Sequence, residues 1–236
     1  MTQMEVRIPW PDWKITNYLG GGSFGAVYEI TRTLFGGETQ ETAAVKVISV
    51  PKDSDDVQEL LSNGYRIESI NERYLQDLQD IAREYSMMAK LKGNANVVYC
   101  DDLYYEKKLD GVGWTLYIKM ELLTPLGKAL GEQVSEQQVI RLGMDLCNAL
   151  SACKKNNIIH RDIKPANIMV ANDGNYKLGD FGVAKTTERT AGGTKTGTYN
   201  YMAPEVYNNK PYGLSVDIYS LGMVMYWMLN GGCGPF

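Results

Sequence analysis

The sequence predicts an α+β protein with a sheet-rich first part and a helix-rich second part, and three observations predict it. Runs rich in Val, Ile and Thr, separated by glycine turns, fill the chain to Val50. A longer pattern follows, in which Leu75, Leu78, Ile81, Ala82, Tyr85, Met88, Ala89 and Leu91 recur at spacings of three and four. Beyond Leu123, helical periodicity dominates. The 236 residues, 44% hydrophobic and 22% charged, suffice for one large domain or a domain of two lobes.

Ile15–Leu19 reads as a strand running into Gly20-Gly21-Gly22-Ser23-Phe24-Gly25, with Ala26–Ile30 as the returning strand of a hairpin. A Gly36-Gly37 turn precedes a third strand over Thr42–Val50, and the acidic Asp53–Val57 reads as a loop or helix start. Leu75–Leu91 is predicted as a helix with one apolar face, ended by Gly93–Asn96. Val97–Tyr105 and Trp114–Glu121 are predicted strands joined by a charged turn at Asp110 and Gly111. The result is a small, mostly antiparallel sheet with one long helix against it. Ser135–Lys155 places Val139, Leu142, Leu146, Ala149, Leu150 and Cys153 at helical spacing, with Ser135 as N-cap and Gln138 three residues on. Val216–Leu229 is an apolar helix. The change of character near Leu123–Pro125 predicts lobes at 1–123 and 124–236, with a crevice between them as a favoured ligand site.

Bulk properties exclude some classes. A formal net charge of −4 argues against a general nucleic-acid binder. The start of the chain lacks a basic region followed by an apolar run, and Ile218–Leu229 is too short for a membrane helix. Cys100, Cys147, Cys153 and Cys233 are scattered, as expected of reduced thiols in a cytoplasmic protein.

The chemistry-bearing motifs are more specific. Gly20-x-Gly22-x-x-Gly25-x-Val27 sits between two strands, whereas a dinucleotide fold would put a helix after it. It also lacks the Gly-Lys-Ser/Thr ending of a mononucleotide loop. Ala44-Val45-Lys46-Val47 follows one hairpin later, so backbone N–H groups and a strand-borne lysine can both address a polyphosphate. Further on come His160-Arg161-Asp162-Ile163-Lys164-Pro165-Ala166-Asn167, then Asp180-Phe181-Gly182, then Ala203-Pro204-Glu205. In this order the motifs resemble those of the eukaryotic-type (Hanks-type) serine/threonine protein kinases, from about Trp13 to Phe236. The overall character is closer to that of a bacterial member.

The resemblance implies the bilobal protein-kinase fold, ATP and Mg²⁺ as cofactors, and protein substrates. Asp162 would accept or orient the substrate hydroxyl's proton, and Lys164 would stabilise the γ-phosphate. Asn167 and Asp180 would hold Mg²⁺. Glu84 on the long helix would pair with Lys46; Glu68 and Glu72 are rivals on distance alone. Met120 would be the gatekeeper, Glu121 C=O and Leu123 N–H would address adenine, and Val27, Ala44 and Met169 would sandwich the ring. Met88, Cys100, His160 and Phe181 would stack and couple the helix to Asp180. Thr198 would hydrogen-bond Asp162 and Lys164. Among Thr186, Thr187, Thr190, Thr194 and Thr196, the last two are expected autophosphorylation sites, which would involve self-association and charge pairing with Arg161.

Two departures from the family stand out. The stretch between Lys46 and Glu84 is longer than usual, with an insert at about 51–74 whose Val57, Leu60, Leu61, Ile67 and Ile70 predict helix packed on the small lobe. The chain also stops at Phe236, where the family continues with further helices. Asp217 would tie down the catalytic loop, and Glu205 would have its arginine partner in the missing region. A pseudokinase-like ATP-binding or interaction module, or a small-molecule kinase, remain alternatives to an active enzyme; filled Lys46, Asp162, Asn167 and Asp180 argue against the first, and Gly197-Thr198 with Ala203-Pro204-Glu205 against the second.

Overall fold

The computed structural model describes residues 7–22, 25–51, 54–108, 111–131, 133–181, 185–186 and 199–234. Ser23, Phe24, Asp110, Gly182, Thr187, Thr190, Thr194, Thr196, Gly197 and Thr198 lie outside the described residues. The chain divides into two compact units, 1–83 with 100–122 and 84–99 with 123–236.

The first unit is built on an antiparallel sheet of β1 (Lys14–Gly22), β2 (Gly25–Leu34), β3 (Thr39–Val50), β4 (Cys100–Lys107) and β5 (Trp114–Met120), in the order β1-β2-β3-β5-β4. Strand alternation sorts side chains between its faces. Ile30, Ala43, Val45 and Tyr117 join Trp13 in one buried cluster, flanked by Ile8, Trp10, Ile15, Tyr28 and Val47. Val27 pairs with Lys46, and Ala44 with Met120, so these four residues share the other face. Trp10 and Trp13 extend the first face. Trp10 Nε1 donates to Asp102 Oδ2 at 2.9 Å. Lys119 Nζ lies 5.0 and 5.3 Å from the Trp10 and Trp13 rings and 2.8 Å from Asp101 Oδ2.

Two helices follow β3: α1 (Ser54–Ser62) and α2 (Ile67–Lys90). The predicted long helix therefore begins eight residues before Leu75. Val57, Ile70 and Val112 form a buried cluster with Leu60, Leu61 and Tyr74 against it. Ile67, expected among the packed apolar residues, is 41% exposed; it opens the helix beside the exposed Glu68 and Ser69, and Ile70 is the first helical residue to turn inward.

Residues 84–99 group with the second unit, and the predicted strand Val97–Tyr105 is correspondingly shortened to β4. Val98 N donates to Leu178 O at 2.9 Å and Leu178 N to Asn96 O at 2.9 Å, so hydrogen bonding to the later chain takes this stretch out of the first sheet. The second unit continues through β6 (Thr124–Pro125), α3 (Leu126–Ala129), α4 (Glu136–Lys155), β7 (Ile158–Ile159), β8 (Ile168–Val170), β9 (Tyr176–Leu178), β10 (Lys185–Thr186), α5 (Pro204–Tyr207) and α6 (Ser215–Leu229). Strands β6, β8 and β9 form one small antiparallel sheet, and β7 pairs with β10. The predicted capping box starts α4: Ser135 Oγ accepts from Gln138 N at 3.3 Å, and Gln138 Oε1 accepts from Ser135 N at 2.9 Å. The apolar positions named for α4 are all buried, and α6 packs on this helix, where a Cβ on Gly143 would lie 3.1 Å from Met225 Cε.

Candidate active site

In the first unit, the glycine motif is a hairpin in which Gly20 faces Val27 and Gly22 faces Gly25. Gly25 has φ +109°, and a Cβ there would lie 2.1 Å from Val47 O. Only glycine lets β2 approach β3 this closely. Lys46 lies opposite Val27 on one side and Ile118 on the other. Met120 ends β5 opposite Ala44 and Cys100. Glu121 and Leu123 follow, half-buried, in the segment that leads to β6.

In the second unit, Glu84 on α2 is 7% exposed, whereas Glu68 and Glu72 are exposed. Burial separates Glu84 from its rivals: an ionised carboxylate held out of water requires a charged or hydrogen-bonding partner. Met88, one turn on, is buried as well.

The loop from β7 to β8 is held by a dense set of polar contacts. Asp217 near the start of α6, 1% exposed, accepts His160 N–H at Oδ2 and Arg161 N–H at Oδ1, both at 2.8 Å. A carboxylate offers a separate acceptor oxygen to each of two converging donors. Burial pushes the Asp217 pKa above the ordinary carboxylate range, against the pull of His160, the two N–H donors and Arg161. The clamp holds Arg161 at φ +67°, a conformation costing about 1–2 kcal/mol. Two charge-assisted hydrogen bonds of about 1.5–3 kcal/mol each offset that strain.

His160 is fully buried. Its Nε2 lies 3.0 Å from Gly179 O, and its Nδ1 accepts from Asp162 N–H at 3.4 Å. A carbonyl only accepts, so the proton sits on Nε2. The ring meets Phe181 edge-on at 4.6 Å. The imidazole thus ties the loop to the segment carrying Asp180.

Asp162 Oδ2 accepts from Lys164 Nζ at 2.7 Å and from Asn167 Nδ2 at 3.0 Å, and Asn167 Nδ2 also donates to Asp162 O at 2.8 Å. The Asn167 amide nitrogen is therefore committed to Asp162, and the side-chain oxygen is the atom suited to a cation. Asn167 O in turn accepts Gly179 N–H at 2.9 Å. Asp180 follows at φ +58°. A Cβ on Gly179 would meet Val98 Cγ2 at 2.9 Å, so glycine lets this segment lie against Val98. Met169 is half-buried on β8, opposite Lys177 and Pro125.

Among the described residues no group of three or more His, Cys, Asp or Glu side chains gathers as a metal cage. An amide oxygen and a carboxylate, the groups that Asn167 and Asp180 carry, are hard-oxygen ligands of the kind that suits Mg²⁺. Sequence reasoning missed Asn96, which is 5% exposed. Its Nδ2 donates to Tyr176 O at 2.9 Å and its Oδ1 accepts from Asn148 Nδ2 at 2.6 Å, so it joins the stretch after α2 to β9 and α4. A polar residue in the turn that ends a helix carries no periodic signal; its pairing spans positions distant in sequence. Among the described residues, no helix is long and apolar enough to cross a membrane.

The family model for the protein kinase domain matches residues 13–236. The chain is 31% identical over 200 residues to calcium/calmodulin-dependent protein kinase type 1 of Caenorhabditis briggsae, across 80% of this chain and 52% of that protein. It is 33% identical over 231 residues to serine/threonine-protein kinase KIC1 of Saccharomyces cerevisiae, across 93% and 18%. It is 31% identical over 230 residues to the probable serine/threonine-protein kinase PknB of Corynebacterium glutamicum, across 93% and 31%. The chain spans about half or less of the length of these relatives.

Proposed function

Because the chain belongs to the protein kinase family, we propose that it transfers the γ-phosphate of ATP to serine and threonine hydroxyls of protein substrates. The observation that carries this reading is the meeting of Lys164 and Asn167 on one oxygen of Asp162, at 2.7 and 3.0 Å. Phosphoryl transfer needs a positioned acceptor and neutralised oxygens more than covalent help. Asp162 orients the incoming hydroxyl and takes its proton as the new O–P bond forms and the bond to ADP breaks. Lys164 offsets charge on the transferring group, and its place two residues after Asp162, with Thr198, favours serine and threonine acceptors.

Asn167 and Asp180 would hold Mg²⁺, which when bound neutralises the phosphate oxygens. Lys46 addresses the α- and β-phosphates and Glu84 orients Lys46. Gly20, Gly22 and Gly25 let backbone N–H groups approach the phosphates. Val27, Ala44, Met120 and Met169 enclose the adenine, with Glu121 C=O and Leu123 N–H on its polar edge. Residues 1–123 and 124–236 act as small and large lobes, the insert at 51–74 belongs to the small lobe, and self-association in the cytoplasm permits autophosphorylation at Thr194 or Thr196.

Incubation with γ-labelled ATP, Mg²⁺ and generic protein substrates, followed by phosphoamino-acid analysis, tests this. Phosphoserine and phosphothreonine are expected; phosphotyrosine alone, or no transfer by folded, ATP-binding protein, overturns it.

A further inference from the structure

The additional helical turns before Glu84 grip one particular turn of the sheet. Asn71, on α2, donates from Nδ2 to Gly111 O at 3.0 Å and accepts Gly113 N–H at Oδ1 at 2.7 Å. A single amide thus reads both backbone groups flanking Val112, as a neighbouring strand would. Val112, 4% exposed, packs with Val57 of α1 and Ile70 of α2. The turn is itself fixed to the end of β3: a Cβ on Gly113, at φ +82°, would lie 2.0 Å from Val50 O. Lys108 Nζ donates to Pro51 O at 2.9 Å. The α2 helix is therefore tied at its first half to the hairpin that carries β5.

One unbroken helix of 24 residues links this attachment to Glu84. At 1.5 Å per residue, Glu84 lies about 20 Å along the axis from Asn71. At about 100° per residue, Ile70 and Glu84 point within about 40° of one another. Fixing Ile70 against Val112 therefore fixes the rotation of the helix and the direction in which Glu84 is presented. We propose that Asn71 is a positioning residue for phosphoryl transfer, acting through α2 on Glu84. This rests on the assignment of Glu84 as the partner that orients Lys46.

The test is a double-mutant cycle on the full chain, with Asn71→Ala and Glu84→Gln alone and combined, reading kcat and KM for ATP, together with amide hydrogen exchange along α2. The expected result is a fall of about tenfold in kcat/KM for ATP with Asn71→Ala, the order of one or two lost hydrogen bonds. The further loss in the Glu84→Gln background should be under about twofold. Exchange should rise as far along α2 as Glu84. Equal losses in both backgrounds, or faster exchange confined to residues 67–75, overturn the proposal. Asn71→Asp, which keeps the acceptor for Gly113 N–H, replaces Asn71→Ala should that variant fail to fold, and is read the same way. A wild-type chain that transfers no phosphate sinks the reading of the active site, while the exchange pattern still decides whether Asn71 controls the helix.

Discussion

Replacing Asp217 with asparagine removes one acceptor from the clamp beneath the catalytic loop. The carboxylate makes two hydrogen bonds of 2.8 Å, to His160 N–H and Arg161 N–H, at about 1.5–3 kcal/mol each. The amide keeps one neutral bond of about 1 kcal/mol and turns its NH₂ group toward the other donor. Removing a buried charge returns part of the desolvation cost that raises the Asp217 pKa. The net loss is about 2–4 kcal/mol, enough to release Arg161 from its left-handed backbone conformation. If the loss falls on the competent loop conformation, kcat drops about 30- to 1,000-fold. If it falls on the fold as a whole, the melting temperature drops by about 5–15 °C. Steady-state kinetics at saturating ATP and a thermal melt, run on the same preparation, read both. A variant with wild-type kcat and wild-type melting would refute the clamp.

Gly25→Ala forces a Cβ into Val47 O at a left-handed backbone position, a cost of about 2–5 kcal/mol unless the hairpin shifts; a raised KM for ATP and a lower melting temperature are expected, and unchanged values would contradict the close approach of β2 and β3. Cys153, fully buried, has its thiol pushed up to about 12 by burial, with the Asp217 charge adding to it. The folded state therefore keeps a proton that the unfolded chain loses above about pH 8.5, and stability should fall as pH rises from there at up to about 1.4 kcal/mol per pH unit. Denaturant midpoints for wild type and Cys153→Ala check this: the variant should show a shallower alkaline decline, and parallel declines would count against it. Burial also raises the phenols of Tyr117, Tyr176 and Tyr201, which steepen the decline only at higher pH.

Much of this was readable from the chain because the decisive signals are local. The α4 helix follows from its apolar spacing and the Ser135–Gln138 box, and the glycine hairpin from its own residues. The loop from His160 to Asn167 is a contiguous motif in which Asp162, Lys164 and Asn167 bond to one another. Other features depend on pairing between distant positions. Val97 and Val98 have strand-forming side chains, yet Val97 lies opposite Leu178 of β9 and Val98 N–H donates to Leu178 O, instead of extending β4. Asn71 and Asn96 look like ordinary polar residues until Gly113 or Tyr176 is placed beside them. Trp10 and Trp13 precede the first strand and gain meaning only when Lys119 lies against their rings. The resemblance favours Glu84 over Glu68 and Glu72, and of the three only Glu84 is buried.

If Asp162 positions and deprotonates the acceptor hydroxyl, single-turnover transfer by the Asp162→Asn variant loaded with ATP–Mg²⁺ reads that role. Chemistry should fall by about 10²–10⁴-fold, the range for losing a positioned base, while ATP–Mg²⁺ affinity stays within about twofold of wild type because Asp162 is not among the groups assigned to the nucleotide. Undiminished transfer by a folded Asp162→Asn variant would show that Asp162 is not the base.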